Sequence, residues 1–290
     1  MKEMDGPILR GKRYDAQSVF TPEALLRESR RQKGYSAADV PGVCLLDPDG
    51  DILAQLQSDG AASRDTSWAC YHTELFRVRR GSFDFGVIAG AVGASFAVLV
   101  AEELFASGCR LLVSISSAGQ IVPARQPPYF VLIERALRDE GTSYHYLPAS
   151  RFSRMDPSLL SRLEGNLRQA SPILLGATWT TDAPFRETAA EIDDYRSLGL
   201  LAVEMEASGL YAFAEARGKK VVCIAYVTNT MGTTERDFEK GHANGARASL
   251  GVFLEVAAAC GRGSSPQPGV RSSRSAQVRV RTSPTTTPGP

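Results

Sequence analysis

Residues 85–115 read FGVIAGAVGASFAVLVAEELFASGCRLLVSI and contain a complete strand–helix–strand unit. The apolar run at 85–90 predicts a buried strand, and the segment from Gly93 to Ala106 predicts the helix that follows it. Residues 110–115 form a second continuous apolar run, which is typical of a strand covered on both faces. Strands of this kind separated by helices indicate an α/β protein with a mostly parallel sheet.

The same alternation recurs along the chain on both sides of this unit. Residues 22–33 predict an N-terminal helix, with Thr21 as its N-cap and Pro22 at its first position. Further strands are predicted at 43–46, 74–79, 172–178, 200–203 and 220–228, and further helices at 185–198, 207–217 and 240–259.

The last thirty residues differ in composition from the rest of the chain. Residues 261–290 hold five arginines and no acidic residue, and Gly, Ser, Pro and Thr dominate them. Such a segment cannot bury enough apolar surface to fold, so we expect a disordered basic tail. The predicted organisation is an N-terminal helical extension at 1–40, one α/β domain at 41–260, and the tail.

The composition argues against several classes of protein. A net charge of +1 argues against a general nucleic-acid binder. The longest apolar stretch, residues 85–101, is shorter than the ~20 residues that span a bilayer, and the N-terminus lacks the pattern of a signal peptide. We therefore expect a cytoplasmic protein without a nucleic-acid or membrane partner.

The cysteines and histidines predict neither disulfides nor a metal site. Five cysteines occur without a CxxC pair, and none of the three histidines lies near a cysteine at metal-ligand spacing. This pattern is typical of buried free thiols in a reducing compartment. No metal and no cofactor are expected.

An acidic triplet is the strongest clue to function. Residues 203–218 read VEMEASGLYAFAEARG, so Glu204 and Glu206 flank Met205 where a strand passes into a helix. Acidic residues at a helix start are favoured by the helix dipole alone. However, α/β enzymes also bind ligands at this edge, and a carboxylate there can accept both hydrogen bonds of a sugar diol.

Two glycine-containing segments are candidates for contact with an anion or a base. ISSAGQI (115–121) is predicted to be a loop that presents backbone N–H groups and hydroxyls, although a plain turn explains it as well. GAVGAS (90–95) could hold phosphate at a helix N-terminus, but it lacks the P-loop lysine and also fits tight strand–helix packing.

Two later segments carry polar side chains at strand ends. In TWTTDAPFRET (178–188), Arg186 has the forked donors that suit a base carbonyl, or it is solvated near a helix start capped by Thr181 or Asp182. In YVTNTMG (226–232), Asn229 can both donate to and accept from a base edge, or it is a turn residue.

Together these segments resemble the nucleoside phosphorylase superfamily, which contains purine nucleoside phosphorylases, uridine phosphorylases and related nucleosidases. The matching stretches are GVIAGAVGASFAVLVAEEL, LLVSISSAGQI, TWTTDAPFRET, LAVEMEASGLYAFAEARG and VVCIAYVTNTM. DAPFRET is most similar to the uridine phosphorylase-like branch. The resemblance implies a single α/β domain with a mixed, barrel-like central β-sheet flanked by α-helices. It also implies homo-oligomers and metal-free cleavage of an N-glycosidic bond, with inorganic phosphate as co-substrate.

The resemblance assigns a role to each matching residue. Glu206 matches the carboxylate that binds the ribose hydroxyls, Met205 packs on the sugar, and Arg186 faces a base carbonyl. The remaining matches are the base-pocket residues Ala118, Gly119 and Val227, and the phosphate-site residues Gly93, Ser114 and Ser117, of which Ser117 lies between phosphate and ribose.

Asn229 stands where purine-cleaving relatives of the hexameric and nucleosidase types carry an aspartate acid. An amide cannot protonate a leaving purine, so the resemblance favours a pyrimidine base. The catalytic residues that it implies are therefore Glu206 and Asn229, with Asn229 acting by hydrogen bonding.

The phosphate end of the site departs from the family pattern. The stretch LDPDG (46–50) lacks the usual glycine and arginine, Ser114 replaces a second arginine, and no third arginine occurs at residues 71–72. A phosphate dianion without cationic partners is costly to bury. We expect a nucleoside phosphorylase with a rebuilt phosphate site. The alternatives are a nucleosidase-like hydrolase that uses water, or a nucleoside-binding protein without turnover.

Overall fold

The computed structural model describes residues 7–167, 173–231, 237–238 and 240–261. The strands in these residues are β1 (Val43–Asp47), β2 (Ala62–Arg64), β3 (Phe76–Arg80), β4 (Phe83–Ala89), β5 (Leu111–Gln120), β6 (Tyr129–Asp139), β7 (Phe152–Arg154), β8 (Ile173–Thr181), β9 (Ala202–Glu204) and β10 (Val221–Asn229). The α-helices are α1 (Pro22–Lys33), α2 (Asp51–Ser58), α3 (Ala94–Ala106), α4 (Pro157–Leu167), α5 (Ala189–Ser197), α6 (Ala207–Arg217) and α7 (Ala246–Gly261). Apart from Gly261, the predicted tail lies outside the described residues.

The strands form one mixed sheet that closes on itself. Its order is β10-β6-β8-β9-β5-β1-β4-β3-β2, and β10 also pairs with β5. The five strands β5, β10, β6, β8 and β9 therefore form a small barrel, from which β1, β4, β3 and β2 extend. The pairs β10–β5, β1–β5 and β8–β9 are parallel, whereas β10–β6 and β5–β9 are antiparallel. The predicted mixed, barrel-like sheet flanked by helices is confirmed.

The unit read from residues 85–115 is present as β4, α3 and β5. Both β4 and β5 pair in parallel with β1, which lies between them. α3 packs against α6, and this contact requires a glycine. A Cβ on Gly209 would lie only 2.8 Å from Cβ of Ala94.

The N-terminal helix begins and ends where local signals predict. Thr21 accepts a hydrogen bond from the backbone N–H of Ala24, Pro22 occupies the first turn, and Gly34 ends the helix with a φ of 68°. Leu26 is buried, and the Ser29 hydroxyl donates to the Ala69 carbonyl. The helix is thus packed onto the α/β domain, and the predicted domain boundary at residue 40 stays a prediction.

The loop predicted at 115–121 is wrong, because β5 continues to Gln120. Residues 116–119 pair with β10, and Gly119 and Gln120 pair with β9. These backbone pairs hold the polar residues in a strand, so the hydroxyls and glycine lie at the end of β5 instead of in a separate loop.

Two predicted helix starts also need correction. The helix predicted from 185 begins at Ala189, where Thr188 and Glu191 form a capping box, so neither Thr181 nor Asp182 is the cap. The helix predicted from 240 begins at Ala246. The preceding turn, His242–Gly245, contains three residues with positive φ, Ala243, Asn244 and Gly245, which interrupt a continuous α-helix.

The barrel strands and their helices enclose a hydrophobic core that also contains buried polar groups. The buried Tyr211 hydroxyl donates to the Ile133 carbonyl and accepts from the Cys223 N–H. All five cysteines are free, and all but Cys260 are buried, as predicted. In the described part of the chain, every helix is too short or too polar to cross a bilayer.

Candidate functional site

Glu204 anchors the turn between β9 and α6. Its carboxylate accepts hydrogen bonds from the hydroxyls of Thr178 and Thr180, and from the backbone N–H groups of Glu206 and Ala207 at 2.8 and 2.7 Å. Four donors fill most of the lone-pair directions of a carboxylate. Glu204 is therefore a structural residue that fixes the neighbouring Glu206.

Glu206 lies at the same turn but has a different environment. Its side chain is 3% exposed, and Oε1 accepts the backbone N–H of Gly93 at 2.8 Å. Burial, followed by the charge of Glu204, raises the pKa of Glu206 to about 7, although the Gly93 N–H and the Ser116 hydroxyl oppose this. Because Glu204 has four donors, Glu206 is the member of the pair that takes up a proton first.

A cavity of about 360 Å³ opens at the carboxyl ends of β5, β8, β9 and β10. We call it the larger cavity, to distinguish it from a second, smaller cavity described below. It brings together five of the residues proposed from sequence: Ser117, Ala118, Gly119, Met205 and Asn229. The other lining residues are Pro184, Phe185, Glu187, Val203, Glu204, Met231 and Phe238. Its mixture of aromatic, aliphatic and polar side chains suits a small planar ligand.

Glu206 does not itself line the larger cavity, although Met205 beside it does. Because the Glu206 carboxylate is almost fully buried, a sugar can reach it only when neighbouring side chains move. Ser116, whose hydroxyl lowers the pKa of Glu206, lines a second cavity. Glu206 thus has a neighbouring residue in each of the two cavities.

The polar groups of Asn229 are already hydrogen-bonded, to Thr228 and Met231 beside it and to β5. Oδ1 accepts the Met231 N–H at 3.0 Å, and Nδ2 donates to the Thr228 hydroxyl at 3.2 Å and the Ala118 carbonyl at 3.4 Å. Met231 has a φ of 66°, an uncommon conformation for a residue with a side chain. A Cβ on Gly119 would lie 2.1 Å from the Met231 sulfur, so a larger residue at this wall of the cavity would displace the Met231 side chain.

The segment that carries Arg186 presents an acid to the larger cavity. Arg186 is exposed at the end of the turn Pro184–Arg186 and is not among the lining residues, whereas Glu187 is. Burial, and then the nearby Glu191, raise the pKa of Glu187 to about 7. The role of Arg186 at the base stays a prediction, and Glu187 is a candidate that the sequence reading missed.

A carboxylate occupies the hydrogen-bond donors that were expected to hold phosphate. The backbone N–H of Ser117 donates to Oδ2 of Asp49 at 2.7 Å, and the Ser117 hydroxyl donates to Oδ1 at 2.8 Å. The Lys240 ammonium lies 3.6 Å from the same Oδ1. The Asp49 side chain is 29% exposed, so the carboxylate also faces solvent.

Asp49 belongs to the second cavity, which we call the acidic cavity. It measures about 10 Å³, and its lining includes Asp47, Asp49, Asp51, Ser116 and Lys240. Burial, and then repulsion from Asp49 and Asp51, raise the pKa of Asp47 to about 7, although the Leu53 and Gly50 N–H groups oppose this. Lys240 is the one cation among the described residues that line this cavity.

The remaining residues of the predicted site line neither cavity. Gly93 donates its N–H to Glu206, so this donor is already used. Ser114 and Val227 are buried, and neither lines the larger or the acidic cavity. Their predicted roles toward phosphate and base stay predictions. The described residues contain no group of three His, Cys, Asp or Glu arranged to hold a metal ion.

The sequence reading missed Asp49, Lys240, Glu187 and Met231. Asp49 lies in the stretch LDPDG (46–50), and its negative charge in a segment expected to hold phosphate is a signal visible in the sequence. Lys240 lies 191 residues further along the chain, and no local pattern links the two. Glu187 directly follows Arg186, so a shift of one residue decides which side chain faces the cavity.

Comparison with known proteins shows the family to which this chain belongs. Residues 61–258 match the family model of the phosphorylase superfamily, which covers more than half of the chain. The chain therefore belongs to the phosphorylase superfamily.

Individual relatives are distant. The chain is 24% identical over 199 residues to a guanosine phosphorylase of Halorubrum lacusprofundi, covering 64% of this chain and 83% of that protein. It is 24% identical over 214 residues to the uridine phosphorylase of Thermococcus kodakarensis, covering 68% and 76%.

Solved structures share the fold at lower identity. The uridine phosphorylase of Vibrio fischeri superposes with a TM-score of 0.66 and 19% identity, covering 79% of this chain and 98% of that one. An AMP nucleosidase of Bacteroides thetaiotaomicron gives 0.63 and 16%, covering 82% and 96%. At these identities the likeness concerns the fold alone.

Proposed function

We propose that this protein cleaves the N-glycosidic bond of a nucleoside and transfers the ribosyl group to water, giving ribose and a free base. Membership of the phosphorylase superfamily and relatives named as phosphorylases and a nucleosidase support cleavage of this bond. The observation that carries the choice of water is the Asp49 carboxylate on both donors of Ser117. For this reason we propose hydrolysis, one of the alternatives given above, instead of the expected phosphorolysis.

Electrostatics disfavours phosphate in this position. Asp49 uses the Ser117 N–H and hydroxyl, and Asp51 adds a second carboxylate that shares Lys240. Two like charges 4 Å apart repel by roughly 4 kcal/mol at an effective dielectric of 20. A phosphate dianion would meet this repulsion without any of the three arginines that its relatives provide, whereas a neutral water molecule would not.

The proposed reaction balances with groups present in the site. The ionised Glu206 accepts hydrogen bonds from the ribose hydroxyls. The bond between C1′ and the base nitrogen breaks, and its electron pair leaves with the base. Water adds to C1′ and gives a proton to the Asp49 carboxylate, which acts as general base. The base takes a proton from solvent, because the Asn229 amide cannot act as an acid. Asp49 then releases its proton to solvent, which restores the carboxylate.

For the base, we propose one that presents neighbouring N–H donors, as guanine does. The pyrimidine expectation rests on the Asn229 amide, which cannot protonate a leaving base; of the two residues at the base-recognition segment, Arg186 does not line the larger cavity, whereas Glu187 does. A carboxylate accepts paired N–H groups and disfavours the carbonyls that flank the single N–H of uracil. The relative named guanosine phosphorylase is consistent with this choice.

Replacement of Glu187 tests the choice of base. Glu187→Gln removes the charge, and we expect the ratio of kcat/KM for guanosine to that for uridine to fall about 10-fold or more, since hydrogen bonds to charged groups contribute about 1.5–3 kcal/mol. The ratio is its own control for general damage to the enzyme. An unchanged ratio would remove Glu187 from base recognition.

Replacement of Asp49 tests the choice of water. We expect Asp49→Asn to lower kcat for base release by about 10²–10⁴-fold, the usual contribution of a general base. Asp59→Asn, at an exposed position after α2, is the matched control and should leave kcat unchanged. Turnover of the Asp49 variant at the normal rate would contradict the proposal. Nucleoside binding without any base release by the unmodified protein would favour a binding protein instead.

A further inference from the structure

Lys240 connects the segment before α7 to the acidic cavity. Its ammonium lies 2.7 Å from Oδ2 of Asp51 and 3.6 Å from Oδ1 of Asp49. Its backbone carbonyl accepts the Tyr226 hydroxyl at 2.7 Å. Both the backbone and the side chain are therefore held, and the charged end is directed between two carboxylates.

The position of the Asp49 carboxylate depends on donors from two distant segments. Ser117 supplies a backbone N–H and a hydroxyl from β5, and Lys240 supplies a positive charge from beyond β10. Burial lowers the pKa of Lys240, but the neighbouring Asp51 and Asp49 more than offset this and raise it above its usual value. The ammonium therefore stays charged at neutral pH.

Without this cation, Asp49 would face Asp51 and the partly ionised Asp47 with no positive charge from the lining of the acidic cavity. Its carboxylate is 29% exposed, so it could lower this repulsion by turning toward solvent and leaving Ser117. A carboxylate that leaves Ser117 no longer holds a water molecule beside the ribose.

We propose that Lys240 is a positioning residue that holds the Asp49 carboxylate against Ser117 while Asp49 takes the proton of the attacking water. This inference rests on the proposed hydrolysis. Lys240 lines the acidic cavity and not the larger cavity, so it acts on the nucleophile side and makes no contact with the base side.

A purely structural role of Lys240 would depend on its contact with Asp51 and not on its contact with Asp49. Lys240 and Asn244 both bind Asp51, at 2.7 and 3.0 Å, and these contacts alone could fasten the segment before α7. Replacement of Asp51 separates the two roles. Asp51→Asn removes the closer ion pair but leaves Lys240 free to pair with Asp49 alone, so positioning predicts a kcat within about 3-fold of the normal value.

The experiment measures kcat and KM of base release for a nucleoside that the protein turns over. Lys240→Met should lower kcat about 10–100-fold with KM within about 3-fold, since it removes a group that acts on the reacting side only. Lys240→Arg keeps the charge and should recover most of this loss. Lys220→Met, at an exposed lysine before β10, is the matched control and should behave as the unmodified protein.

A double-mutant cycle decides whether Lys240 acts through Asp49. Positioning predicts that Lys240→Met has no further effect on kcat when Asp49 is already Asn. An equal loss in both backgrounds, or a normal kcat in Lys240→Met, would overturn the inference and leave the role of Asp49 intact. A normal kcat in Asp49→Asn alone would overturn both the inference and the proposed hydrolysis. If Lys240→Met does not fold, Lys240→Gln replaces it in the same cycle.

Discussion

At the scale of single residues, three carboxyl groups in or near the two cavities share one property. Burial is the first cause that raises the pKa of Asp47, Glu187 and Glu206, each to about 7. Groups perturbed in this way cluster at functional sites, because a carboxyl that is costly to ionise is ready to exchange a proton or bind a polar ligand. The same burial costs stability when the group must be charged.

The ionised Glu206 should therefore increase activity and decrease the stability of the folded protein. We expect Glu206→Gln to lower kcat/KM by about 10²–10⁴-fold, since two hydrogen bonds to a charged group contribute about 1.5–3 kcal/mol each. The folded-state pKa of about 7 exceeds the ordinary value of 4.5, so the folded protein loses stability as pH rises through 7. The neutral variant lacks this loss.

The measurement is a melting temperature at several pH values. Glu206→Gln should melt about 2–6 °C higher than the unmodified protein at pH 8, equivalent to about 1–2 kcal/mol, and the difference should shrink toward pH 5. Glu215→Gln, at an exposed position of α6, serves as control and should show no such trend. A variant that retains normal kcat/KM would refute the ribose role of Glu206.

At the scale of single residues, contacts between positions far apart in the chain could not be predicted from the sequence. Ser117, Ala118, Gly119, Met205 and Asn229 meet in one cavity as expected, because each lies at the carboxyl end of a strand of the same barrel. The bond between Ser117 and Asp49 joins residues 68 positions apart, and Lys240 and Asp51 are 189 apart. Such pairs arise from strand order and barrel closure, which no local spacing encodes.

At the scale of elements, the sequence predicted those helix ends that depend on interactions within one turn. The bounds of α1 and α6 agree with the sequence, because caps and glycines at their ends act within one turn. β6 escaped notice, since Glu134, Arg135 and Arg138 break its apolar run. Its strand conformation comes from pairing with β8 and β10, which supply backbone partners along its length.

The crossing of α3 and α6 gives a stability prediction for one element pair. Gly209→Ala places a methyl group 2.8 Å from Cβ of Ala94, so we expect a loss of about 1–3 kcal/mol from overpacking. Gly251→Ala, in α7, meets nothing within 4 Å and should stabilise by about 0.5–1 kcal/mol through helix propensity. Denaturant unfolding measures both, and equal effects of the two changes would contradict the tight crossing.

At the scale of the whole molecule, barrel closure places the site. Pairing of β10 with β5 sets Asn229 beside Gly119, and pairing of β8 with β9 sets the threonines of β8 beside Glu204. The proposed sugar end and the proposed nucleophile end thus share one edge of the sheet. The superfamily fold is retained, while the nucleophile end carries carboxylates in place of the arginines that the family resemblance implies. The expected homo-oligomer stays a prediction.

The most direct test of the proposed hydrolysis is base release from purine and pyrimidine nucleosides by the purified protein, with and without inorganic phosphate, with the sugar product identified. The Asp49 carboxylate on Ser117 predicts the same rate in both conditions and free ribose as the product. Base release that requires phosphate and yields ribose 1-phosphate would contradict the account.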